Sequence, residues 1–90
     1  MDKLNARCNA NERTVVKICG MTKCEDITVA ADAGADYIGV VINVPRSPRC
    51  QTIDRARALS QFSPLPIVAV TVNQTIQQLQ EIVSVVAPAV

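Results

Sequence analysis

Cys19, Arg46 and Arg49 are the residues of this 90-residue chain whose types and settings could do chemistry. Cys19 closes a short β-branched run, Val15-Val16-Lys17-Ile18-Cys19-Gly20, two residues ahead of a segment that reads as a helix start. A thiol beside a helix N-terminus meets unpaired N–H groups, which favour the thiolate. Lys17 has the same strand parity as Cys19, so both side chains share a face and the cation adds to that bias. A thiolate so placed can act as a general base on a carbon acid. The plainer reading of a free cysteine is a small buried hydrophobe. Arg46 and Arg49 lie in Val44-Pro45-Arg46-Ser47-Pro48-Arg49-Cys50-Gln51-Thr52, where prolines stiffen the backbone. An arginine on a stiff loop can clamp a carboxylate or phosphate through two parallel hydrogen bonds. The plainer alternative is a solvated surface arginine, and it fits Arg46 better than Arg49. Cys24 and Cys50 read as structural, Asp32 and Asp36 as solvated groups flanking a helix end, and Gly34 and Gly39 as packing or turn glycines.

The elements that position these groups alternate between two textures. Val15–Gly20, Tyr37–Ile42 and Ile67–Val72 are short, nearly all-apolar runs that read as strands. After the first, Thr22 and Glu25 have capping-box spacing, Ile27, Ala30 and Ala31 share a helical face, and Gly34 is a C-terminal stop. After the second, residues 43–51 form a loop and Thr52 caps a helix with the stripe Ile53, Ala56, Leu59 and Phe62. After the third, Thr75 and Gln78 make another capping box, with Ile76, Leu79, Val83 and Val86 as the inner stripe and Pro88 as the stop. Ala89 and Val90 would begin a fourth strand.

The order β-α-β-α-β-α, with strands apolar enough for cover on both faces, predicts an α/β fold of parallel βα units. Right-handed crossovers bring the strand C-termini to one end, and ligands bind there, on the βα loops. Those loops are residues 20–22, 43–51 and 73–74. Three such units leave apolar edges unpaired.

Bulk properties narrow the function classes. Hydrophobic residues make up 49% and charged residues 19%, a globular balance, and the net charge of +1 gives no footprint for nucleic acid or an anionic membrane. One Tyr, one Phe and no Trp leave few platforms for base stacking. No apolar run reaches the ~18–20 residues of a membrane span. With no His and no C-x-x-C among Cys8, Cys19, Cys24 and Cys50, a metal site is not expected. The first 14 residues have no apolar signal core and read as a polar extension, so a reducing cytoplasm is the expected location.

Lys17-Ile18-Cys19-Gly20-Met21-Thr22 resembles the KICG-[IM]-T opening of the phosphoribosylanthranilate isomerases. Glu25-Asp26, Gly34-Ala35-Asp36 and Gly39 follow at the spacing of that family, Ser47-Pro48-Arg49 is similar to its SPR segment, and Val70-Thr71-Val72-Asn73 to the end of its third strand. The resemblance covers residues 15–90 and implies the N-terminal three βα units of a TIM (β/α)8 barrel, incomplete after the third. It implies an Amadori rearrangement of N-(5-phosphoribosyl)anthranilate in tryptophan biosynthesis, without cofactor or metal. Cys19 would be the catalytic base and Arg49 would hold the anthranilate carboxylate. The acidic partner, an Asp on a later strand, and the phosphate-binding loops would lie beyond Val90, so the chain alone should be inactive. The partner implied is a small phosphoribosyl substrate, not a nucleic acid or a membrane. Cys50 stands where the family usually has an aromatic, and the second strand lacks its usual phenylalanines. Two other readings stay open: a half-barrel module that binds a partner or itself through its open edges, and another βα-barrel enzyme with a strand-one cysteine.

Overall fold

A computed structural model describes residues 14–90, so the polar extension, apart from Thr14, and Cys8 lie outside the described residues. The elements run β1 (Lys17–Ile18), α1 (Cys24–Asp32), β2 (Tyr37–Val41), α2 (Ile53–Phe62), β3 (Ile67–Val70) and α3 (Ile76–Val86). The sheet has the order β1-β2-β3 and is parallel throughout, with Lys17 opposite Tyr37, Ile38 opposite Ile67 and Val41 opposite Val70.

Successive crossovers of one hand lay all three helices on one face. Ile38, Val40 and Ile42 of alternate parity are fully buried there against Ile27 and Ala30 of α1, Ala56 and Leu59 of α2, and Ile82 and Val86 of α3. The opposite face differs from the expectation of cover on both sides. It carries Lys17 and Cys19, which are exposed, and Tyr37, Val41, Val68 and Val70, which are half-buried. No helix packs on that face among the described residues.

The helix ends show which local signals held. Thr52 and Thr75 cap α2 and α3, each accepting a backbone N–H three residues on, and Gln78 completes the second capping box. The box at Thr22 and Glu25 does not form: Lys23 is the N-cap of α1 and makes no side-chain cap bond. At the other end of α1, Gly34 takes φ +98 and a Schellman pair closes, with Gly34 N–H donating to Ala31 O (3.1 Å) and Ala35 N–H to Ala30 O (3.1 Å). The α3 stripe is also shifted. Ile82 and Val86 are buried, whereas Ile76 (70% exposed), Leu79 and Val83 (63%) point outward. In a helix with two apolar stripes, spacing cannot choose which one meets the sheet.

Ala87 ends α3 in the left-handed region and Pro88 blocks continuation. Ala89 N–H then donates to Ile67 O (2.9 Å) and Ala69 N–H to Val90 O (2.8 Å), so the last two residues pair with the outer edge of β3, as a fourth strand would.

Candidate active site

Each strand leaves the sheet through a left-handed residue: Gly20 (φ +81) after β1, Asn43 (φ +56) after β2 and Asn73 (φ +53) after β3. Glycine and asparagine are the residues that adopt this conformation at least cost. Because the strands are parallel, all three turns lie at one end and carry the βα loops with them.

The first strand is shorter than its apolar run, and this shapes the loop after β2. Odd-numbered residues of β2 direct their backbone groups toward β1, as in the bond from Met21 N–H to Gly39 O (3.0 Å). Beyond Gly39, β1 has turned away. Gln51 takes its place: its N–H donates to Val41 O (2.7 Å), its carbonyl accepts from Asn43 N–H (3.0 Å), and it bridges Ile42 in the parallel sense. The loop between is closed internally. Ser47 N–H donates to Val44 O (2.9 Å), Arg49 N–H to Ser47 Oγ (3.1 Å), and Val44 N–H to Cys50 Sγ (3.2 Å). Cys50 is thus structural, as its sequence setting indicated.

This fold-back sets Arg49 over the turn that follows Cys19. A Cβ built on Gly20 would lie 2.5 Å from Arg49 Cδ and 3.2 Å from its Nε, so the arginine stem rests on the bare backbone of Gly20. Cys19 in turn rests on Gly39, whose Cβ would lie 2.8 Å from Cys19 Sγ. Cys19 is exposed and shares the open face with Lys17. It is not at a helix N-terminus, however: α1 starts at Cys24, with Gly20 to Lys23 intervening. Arg46 does not join this group. It lines a separate hollow of 160 Å³ with Asn43, Val44, Pro45, Val72 and Asn73. Among the described residues no three His, Cys, Asp or Glu side chains converge to hold a metal ion.

Three side chains matter that their sequence setting did not mark. Gln74 Nε2 donates to Asn43 O (3.3 Å) and Val72 O (3.0 Å), tying the second and third loops together. Arg55 on α2 donates to Thr22 O (2.9 Å) and holds the first loop. Asp36 is half-buried rather than solvated, and its Oδ2 accepts Val16 N–H (2.8 Å) at the start of β1. The αL asparagine just before Gln74 was the available signal for the first; nothing local signals the other two.

The arrangement gives a thiol and a guanidinium from neighbouring turns, both open to the same end of the sheet. That combination suits proton transfer at carbon beside an anchored anion.

Residues 16–90 match the family model described as N-(5′-phosphoribosyl)anthranilate (PRA) isomerase. A relative of that name from Acinetobacter calcoaceticus is 43% identical over 83% of this chain and 36% of its own length. Another, from Methanocella arvoryzae, is 46% identical over 68% of this chain and 29% of its own. Among solved structures, monomers of the dimeric enzyme from Thermotoga maritima superpose with a TM-score of 0.78 at 36% identity, covering 84% of this chain and 39% of theirs. An isomerase in complex with reduced 1-(o-carboxyphenylamino)-1-deoxyribulose 5-phosphate superposes with a TM-score of 0.77 at 33% identity, over 84% of this chain and 40% of its own. The chain thus spans between 29% and 40% of the length of these relatives. The three parallel βα units, the turn motifs and the match over residues 16–90 lead to one conclusion: the chain belongs to the N-(5′-phosphoribosyl)anthranilate isomerase family.

Proposed function

We propose that residues 15–90 are the first three βα units of a cytoplasmic phosphoribosylanthranilate isomerase, an aldose–ketose isomerase, and supply one side of its active site. Cys19 is the base. As the thiolate it takes the C2′ proton of the ring-opened Schiff base, and the electron pair moves toward nitrogen to give an enol that becomes the ketone product. Arg49 holds the anthranilate carboxylate through its guanidinium. The general acid and phosphate site come from outside this chain, no cofactor takes part, and the chain alone does not turn over. The observation that carries this reading is the seating of Arg49 on Gly20, next to Cys19, at the strand C-termini.

The test is a chimera in which residues 16–90 replace the matching segment of the Acinetobacter calcoaceticus relative. The chimera should isomerise N-(5-phosphoribosyl)anthranilate. Cys19→Ala should lower kcat by about 10²–10⁴-fold with little change in KM. A Cys19→Ala chimera that keeps most of its kcat would show that another group is the base.

A further inference from the structure

We infer that Gly39 is a positioning residue for this reaction, because the space left by its missing side chain is where Cys19 holds its thiol. The inference rests on the reading of Cys19 as the base. Glycine in a strand interior weakens the strand and signals a close approach, and Gly39 lies between Ile38 and Val40, two residues that favour strands. Its φ is not in the left-handed region, so backbone conformation does not call for glycine there. Gly34 is the contrast: it sits at φ +98, and a Cβ there would meet nothing within 4 Å.

At Gly39 the reason is contact. A Cβ would lie 2.8 Å from Cys19 Sγ, 3.2 Å from Cys19 Cα and 3.3 Å from Cys19 Cβ. The last two contacts are relieved by shifts of a few tenths of an ångström. The first is shorter than such atoms allow, so the thiol must change rotamer, which moves Sγ by roughly 3 Å. A misplacement of even about 1 Å can cost on the order of 100-fold in rate. Gly39 therefore acts through Cys19, as the floor that fixes where the base reaches.

The experiment has two arms. In the chimera, Gly39→Ala should lower kcat about 100-fold and leave KM within about three-fold, since Arg49 keeps its own seat on Gly20. In the 90-residue chain, a double-mutant cycle on urea stability should show Gly39→Ala less damaging in the Cys19→Ala background than with the thiol present. Gly39→Ala with kcat within three-fold of the parent overturns the inference, provided Cys19→Ala is inactive. An active Cys19→Ala chimera instead removes the reading beneath it. If the Gly39→Ala chimera does not fold, adding Cys19→Ala must restore folding. Failure to do so places the clash elsewhere and overturns the inference.

Discussion

Replacing Gly20 by alanine tests whether the turn after β1 is built to carry Arg49. Two costs add. Gly20 sits at φ +81, where an L side chain costs about 1–2 kcal/mol. The new Cβ would also lie 2.5 Å from Arg49 Cδ, which lifts a flexible side chain off its seat but leaves the sheet intact. Stability of the 90-residue chain should therefore fall by about 1–2 kcal/mol, a shift in urea midpoint of roughly 1 M for a domain of this size. If Arg49 holds the substrate carboxylate as proposed, the displaced guanidinium loses that alignment, and a charged hydrogen bond contributes about 1.5–3 kcal/mol, so KM in the chimera should rise about 10–100-fold while kcat stays near the parent. Urea denaturation followed by circular dichroism and steady-state kinetics read the two effects separately. Arg49→Ala should raise KM to the same extent, and adding Gly20→Ala to it should raise KM no further. A Gly20→Ala chimera with unchanged KM and the expected stability loss would show that Arg49 does not work from this seat.

Two further comparisons use residues whose sequence settings look alike but whose roles differ. Thr75→Ala removes the formed capping box of α3 and should cost about 1 kcal/mol, or about 4–8 °C in Tm, whereas Thr22→Ala, whose side chain caps nothing, should stay within about 0.5 kcal/mol. On α3, Ile82→Ala should cost about 2–5 kcal/mol and Val83→Ala about 0.5 or less; equal losses would mean that the helix faces the sheet with its other stripe.

The element order was legible because three apolar runs alternate with capped, periodic segments, and Thr52, Thr75 and Gly34 mark their ends by local chemistry alone. Three features were not legible. Thr22 and Glu25 have capping-box spacing, but the chain turns into α1 at Lys23. The buried stripe of α3 depends on how the helix rolls against the sheet, and both stripes are apolar. The place of Asp36 depends on Val16, far off in sequence and adjacent only across the sheet. For the site, the motif blocks picked out Cys19 and Arg49, and the parallel βα order put both at the strand C-terminal end. Their juxtaposition follows from long-range facts, the early end of β1 and the return of Gln51, which no local window contains.

The two-residue length of β1 has a consequence for how this scaffold can be improved. Gln51 and any extension of β1 compete for the same carbonyl and N–H groups on the flank of β2, at Val41 and Asn43. Sequence changes that favour extended backbone past Cys19 would strengthen the sheet and evict the loop that carries Arg49. Here stability and reactivity draw on one set of hydrogen-bonding groups, so selection for a more robust sheet works against the site. Gains in stability are better sought on the helix side, where Ile38, Val40, Ile42, Leu59 and Ile82 pack on the face of the sheet opposite Cys19.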